Sequence, residues 1–272
     1  MTLTWRSHPI NEDTRTLIWR GFVIAMAVLV HLLFSVKLYA DETVMLKAGY
    51  MTLDARGSFG AAAGGLAATP VNVDSTLHLA RSNQMTVEAA LQLGDFRAGL
   101  NYFPIKFSGD GVLGTAVQYN GQTYAAGNTV HASLEADVFD ASLTYYLLNM
   151  DDLPSRLQLG VEAAVKIVHA TSSMTDKTTG LTQSVSTTLP IPTLGARGRV
   201  ALSDLVGLTG RAGYIGYAGN HFLDSEKQVE FSPLPTVGVY VGYRLIDLKV
   251  SRSGVLLDNV VSGPFVGGLV RF

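Results

Sequence analysis

The chain has 272 residues, a formal net charge of −2 and no cysteine, which excludes disulfides, thiol catalysis and a lipidated N-terminal Cys, and gives no global field that would argue for nucleic acid. Charged residues make up 15% of it, against about 25% in an ordinary water-soluble domain, and mean hydropathy is positive at +0.25. Past the N-terminal region no apolar run approaches the roughly 20 residues of a membrane-spanning helix, so the apolar residues are distributed over short segments.

Residues 1–40 read as a targeting segment. Arg15 and Arg20 precede the apolar stretch Gly21 to Val36, and Leu38-Tyr39-Ala40 before Asp41-Glu42 has the form of a cleavage site, which leaves 41–272 as the mature chain. The alternative is an uncleaved inner-membrane anchor, for which this stretch is slightly short.

From Asp41 onward the period is two. Thr43 to Leu53 sets Val44, Leu46, Ala48 and Tyr50 opposite Lys47. The connection that follows holds a glycine-rich stretch, Gly57 to Gly65, without the Lys and Ser/Thr of a phosphate loop, and Asn72 to Ser82 is predicted to form a short helix in it. Gln84 to Leu93 alternates again, and Gly94-Asp95 turns it into Phe96 to Phe107 as a hairpin. In Thr129 to Leu148 the apolar face switches at Val138-Phe139, so a bulge is predicted there. Arg156 to Ala170 is the clearest strand: Leu157, Leu159, Val161, Ala163, Val165 and Ile167 share one face, with Gln158, Glu162 and Lys166 on the other. Val185 to Leu202 contains Pro190 and Pro192, which cannot donate ladder hydrogen bonds, so its upper half is predicted to be irregular or to extend beyond a membrane. Val206 to Gly219, Ser225 to Ser232, Thr236 to Val250 and Asn259 to Phe272 complete ten strands, with eight or twelve as alternatives.

The expected fold is therefore all-β: a transmembrane antiparallel up-and-down barrel. The connections after strands two, four, six and eight are short, while Ala55 to Asn83 and Ser108 to Asn128 are long and Thr171 to Ser184 is intermediate. Short periplasmic turns alternating with longer external loops place both ends of the mature chain in the periplasm. A lipocalin-like barrel would carry dense Lys and Glu on its polar face; here sparse charges are separated by Gly, Ala, Ser and Thr, which suits a narrow lumen. Phe96, Tyr145, Tyr146 and Phe272 at one end, and Tyr50, Phe107 and Tyr217 toward the other, are placed as interfacial girdles.

The final stretch alternates Val266, Gly268, Val270 and Phe272 to a terminal aromatic. It resembles the closing strand of bacterial outer-membrane barrels, where such a C-terminal Phe belongs to the signal read by the assembly machinery. Gly242-Tyr243-Arg244 and Ser262-Gly263-Pro264-Phe265 are similar to phrases in the same proteins, so nearly the whole mature chain resembles a small porin-like outer-membrane β-barrel of Gram-negative bacteria. The resemblance implies the cell outer membrane as location, with outer-membrane lipid, lipopolysaccharide and the β-barrel assembly machinery as partners and no cofactor. It names no substrate.

The candidate lumen-lining charges are Lys47, Glu88, Arg97, Glu135, Asp137, Glu162, Lys166, Arg197, Arg199, Arg211, Glu230, Arg244 and Arg271. Buried charges must pair or stay hydrated, so these are expected to plug a narrow barrel with ion pairs, in a structural or interaction role. The alternative is a narrow porin or transporter for small solutes, motivated by the extra Arg residues on the sixth, seventh and last strands. A second alternative is a rim enzyme acting on outer-membrane lipid, with Ser133 between His131 and Glu135 as the local candidate. No metal spacing links the histidines, and no catalytic or metal residue is assigned.

Overall fold

The computed structural model describes residues 42–61, 69–150, 156–252 and 255–272. The expected leader and cleavage site within residues 1–41, and part of the Gly57 to Gly65 stretch, lie outside the described residues.

Thirteen strands are described: β1 (Glu42–Ala61), β2 (Val71–Asn72), β3 (Ser82–Leu93), β4 (Phe96–Val112), β5 (Val117–Tyr119), β6 (Gln122–Tyr124), β7 (Thr129–Met150), β8 (Leu157–Asp176), β9 (Thr182–Ala201), β10 (Val206–Tyr217), β11 (Asn220–Leu234), β12 (Val237–Arg252) and β13 (Val255–Arg271). β1, β3, β4 and β7 to β13 are the ten staves of a closed antiparallel barrel, each beside its sequence neighbour, with β13 paired back onto β1. Closure matters because a backbone edge has no water to bond to in hydrocarbon. The seam ends on a reciprocal pair, the Phe272 amide to the Val44 carbonyl at 2.9 Å and the Val44 amide to the Phe272 carbonyl at 3.1 Å. Within it Gly49 and Gly267 stand opposite one another, and the Tyr240 ring of β12 covers both; a Cβ on Gly267 would come within 2.4 Å of Tyr240 Oη.

Side chains follow the period of two. On β8, Val161 and Val165 are 43% and 46% exposed on the outer face while Glu162 and Lys166 are 4% and 2% exposed inside. An apolar exterior around a charged interior is the reverse of a water-soluble barrel and the arrangement a bilayer demands. On the closing strand Val266, Gly268 and Phe272 face out and Arg271 faces in.

The staves are taller than a bilayer. β7, β8 and β9 have 22, 20 and 20 residues, where about 9–11 suffice to cross. The apolar band occupies the near half, at the end where β13 finishes. On the far half the outer face becomes polar, with Arg81 to Asp54 at 3.0 Å, Lys106 to Glu135 at 3.8 Å, Lys177 to Asp110 at 2.7 Å and Lys249 to Asp258 at 3.0 Å.

Four local expectations are corrected. β7 pairs with β8 without a break from Val130 to Tyr146, and the register shift falls between Tyr146 and Leu148 instead of at Val138-Phe139. For the upper half of β9 only the irregular alternative is corrected: the strand is regular through both prolines and rises past the apolar band. Since β10 pairs with residues 194–201 alone, among the described residues no strand pairs with that side of Thr182 to Thr193, where a missing amide donor costs nothing. Residues 72–82 form no helix; Val71 and Asn72 instead pair with Phe59 and Ser58 of β1. Finally, Tyr146 and Phe107 point inward, at 4% and 2% exposure, and belong to no girdle.

The far mouth is capped by the long connections. β5 and β6 form a hairpin on Asn120-Gly121, both with positive φ (49° and 76°), the Asn-Gly pair such a tight turn requires. Tyr119 and Tyr124 donate to the Ser172 and Met174 carbonyls of β8, each at 3.0 Å, which ties the hairpin across the mouth. Around them Phe59, Val73, Leu77, Leu113 and Met174 make a second apolar cluster. Tyr119 is fully buried and edge-on to Phe59, so Tyr119→Ala is expected to loosen the cap by about 3–5 kcal/mol. Proteolysis between residues 113 and 128 in folded protein is the measurement, and unchanged resistance would refute the cap.

Beside the cap, burial works against the Asp176 carboxylate, yet bonds from Asn128, Thr178 and Thr179 hold its pKa below the ordinary value. A depressed carboxyl contributes stability in full above the unfolded value of about 3.9 and loses it as pH falls through the lower folded value. Amide exchange in the β8–β9 turn is therefore expected to accelerate only in that acid range, and Asp176→Asn should abolish the dependence.

Candidate functional site: the charged lumen

The lumen is layered along the barrel axis. Its middle is an ion-pair layer supplied by inward positions of β7 to β12. Asp140 accepts from Lys166 at 2.7 Å and Arg211 at 2.9 Å. Asp224 accepts a fork from Arg244, at 3.0 and 2.8 Å, with Lys166 at 3.0 Å. Glu162 takes Arg197 at 2.5 Å and Thr144 at 3.1 Å. Asp140, Asp224, Lys166 and Arg244 are each 2% exposed, so this layer is stable only because every charge has an opposite partner in bonding range.

Toward the far end the layer meets an apolar one. Arg244 stacks on Phe103, 3.7 Å from the ring centroid, and Phe103 belongs to a core with Met51, Leu53, Phe107, Val138, Phe222 and Phe265. The gap beside it, between Lys47, Glu88, Gln228 and Tyr240, measures about 20 Å³, room for about one water.

Toward the near end the lumen widens into a vestibule of about 570 Å³. Glu230 sits in it under three cations: Lys47 at 3.5 Å, Arg199 at 3.3 Å, and Arg271 in direct contact. Glu88 holds Arg97 at 2.7 Å and Lys47 at 3.8 Å.

Of the candidate lumen residues, Lys47, Glu88, Arg97, Glu162, Lys166, Arg197, Arg199, Arg211, Glu230, Arg244 and Arg271 are brought together here. Glu135 and Asp137 are not. With no bulge at Val138-Phe139 the alternation of β7 runs on, which puts both on the outer face, where Glu135 meets Lys106 and Asp137 accepts from Tyr102 Oη at 2.9 Å. His131, Ser133 and Glu135 share that outer face but turn to separate partners: His131 to Asp110 at 2.7 Å and Ser133 to Ser173 at 2.9 Å. Among the described residues no group of three or more His, Asp or Glu side chains is placed to hold a metal ion.

Sequence reasoning missed Asp140, Asp224 and Glu226. A signal existed for the last two, since Asp224, Glu226, Gln228 and Glu230 alternate without interruption along β11.

No family model matches the chain, and no curated protein matches it. Among solved structures it is similar to the outer membrane protease OmpT from Escherichia coli, at 12% identity with a TM-score of 0.54, covering 87% of this chain and 99% of that one. It is also similar to the translocator domain of autotransporter NalP from Neisseria meningitidis (11% identity, 94% and 98% coverage, TM-score 0.42) and to Neisserial surface protein A (15%, 85% and 96%, 0.35). At such identity the match with the protease shows the fold: this chain is built as an outer-membrane β-barrel, closed by ten staves.

Proposed function

We propose that the protein resides in the bacterial outer membrane as a sealed barrel with a structural or interaction role, its near end in the periplasm and its polar upper wall standing among lipopolysaccharide. The observation that carries this reading is the stacking of a neutralised ion layer against an apolar layer across the whole lumen, beneath a tied-down cap. A path for hydrated solutes would have to break both layers. The projecting wall, with Arg81, Lys106 and Lys177 on it beside acidic partners, is the surface such a protein offers to anionic lipid and to other molecules. The terminal Phe272 with Val270, Gly268 and Val266 is the segment offered to the assembly machinery.

In planar bilayers the purified protein is expected to give no conductance steps. Regular steps with a defined unit size would instead establish the narrow porin. The rim enzyme is tested by mass spectrometry of lipid A from cells with and without the protein; a mass change that Ser133→Ala abolishes would establish it.

A further inference from the structure

The cations of the lumen are not distributed evenly. Lys166, Arg211 and Arg244 face Asp140, Asp224 and Glu226, three against three. The remaining five, Lys47, Arg97, Arg197, Arg199 and Arg271, have Glu88, Glu162 and Glu230 between them, and Glu162 is shared with Arg211 at 3.6 Å. All five line the vestibule, but of those three carboxylates only Glu230 does. At its mouth Arg156 and Asp204 add one charge of each sign, so the excess of two positive charges is unchanged. Of the side chains that line this cavity, Arg97, 5% exposed, has a buried Nη1 with no hydrogen-bond partner among the described residues, and the buried Nε of Arg199 is in the same state. A guanidinium edge left unbonded out of water costs free energy comparable to a lost charged hydrogen bond, and forked donors of this kind match phosphate and carboxylate oxygens.

We infer that the vestibule is a binding site for a small oxyanion carrying at least two negative charges, admitted from the near end. The cavity is of ordinary ligand size. On the sealed reading it ends on the ion-pair layer and holds its anion without passing it on. The site stands whether or not the barrel conducts, because it needs only the near mouth. A phosphate group reaches this mouth either from a soluble molecule or from a lipid headgroup of the adjoining leaflet.

The test is calorimetric titration of inorganic pyrophosphate into the full-length protein in nonionic detergent, at fixed ionic strength in chloride. One site per barrel is expected. Arg199→Gln leaves Lys47 and Arg271 on Glu230 and should fold, which retention of the heat-modifiable gel form verifies; it should weaken binding by about tenfold or more, as should Arg156→Gln at the exposed mouth. Lys177→Gln, the same charge loss at the far end, should change nothing. Absence of binding, or equal weakening by Lys177→Gln and both arginine variants, would overturn the inference. Adding phosphatidylglycerol to the micelles separates the sources: competition that Arg199→Gln relieves assigns the site to a headgroup, and undiminished pyrophosphate binding assigns it to a soluble anion.

Discussion

Replacing Asp224 with Ala is expected to destabilise the barrel by about 3–5 kcal/mol, the usual cost of orphaning a buried charge. Asp224 receives Lys166, Arg244 and, at 3.4 Å, Arg211, and removing it leaves three cations on Asp140 and Glu226 inside a water-poor layer. The folded fraction on unboiled gels, followed through a urea titration, gives the number. Asp224→Ala combined with Arg244→Met should recover much of the loss, because an apolar replacement of a whole buried pair is often neutral. A single variant that unfolds at the same urea concentration as the parent would mean that the layer is hydrated and does not seal the lumen.

The second large effect is at the bilayer. Val165 faces outward within the apolar band of β8, and Val165→Arg is expected to cost about 2–4 kcal/mol if it lies near the midplane. Its neighbour Ala164 faces inward between Glu162 and Lys166 and is 7% exposed. A lumen with spare room would tolerate Arg there, but this one is filled, so Ala164→Arg should also destabilise, through overpacking of about 1–3 kcal/mol and an extra cation. The two are told apart by adding Lys166→Met, which should relieve the second variant and leave the first unchanged. Small effects at both positions would contradict the placement of β8 in lipid.

The ten staves, their order and the closing strand were legible because lipid on one side and charge on the other impose a strict period of two. Legibility failed where that contrast fails. Val138 faces the apolar layer of the lumen and Phe139 faces outward, so two adjacent apolar residues look like a phase switch when they are two faces of one regular strand. The error carried Glu135 and Asp137 into the lumen and kept Asp140 out of it. Phe107, read as a girdle residue, is inside for the same reason. The cap hairpin is announced by Asn120-Gly121 between Val117-Gln118-Tyr119 and Gln122-Thr123-Tyr124, a turn signal with too few alternating residues beside it to stand out as a strand pair. The charge excess of the vestibule has no sequence signature at all, because it depends on which carboxylates the other cations claim.

The bare upper edge of β9 has a consequence for how copies of the protein behave beside each other at high density. Exposed strand edges recruit strands from neighbouring molecules, and repeated recruitment grows into fibres. Here Pro190 and Pro192, at alternate positions, remove two amide donors from the same side of the strand. Above them Thr182, Ser186 and Thr188 already share their hydroxyls with Thr175, Thr171 and His169. An invading chain would find gaps in the ladder and an engaged polar row instead of a sticky surface, which lets neighbouring barrels crowd rim to rim without knitting together.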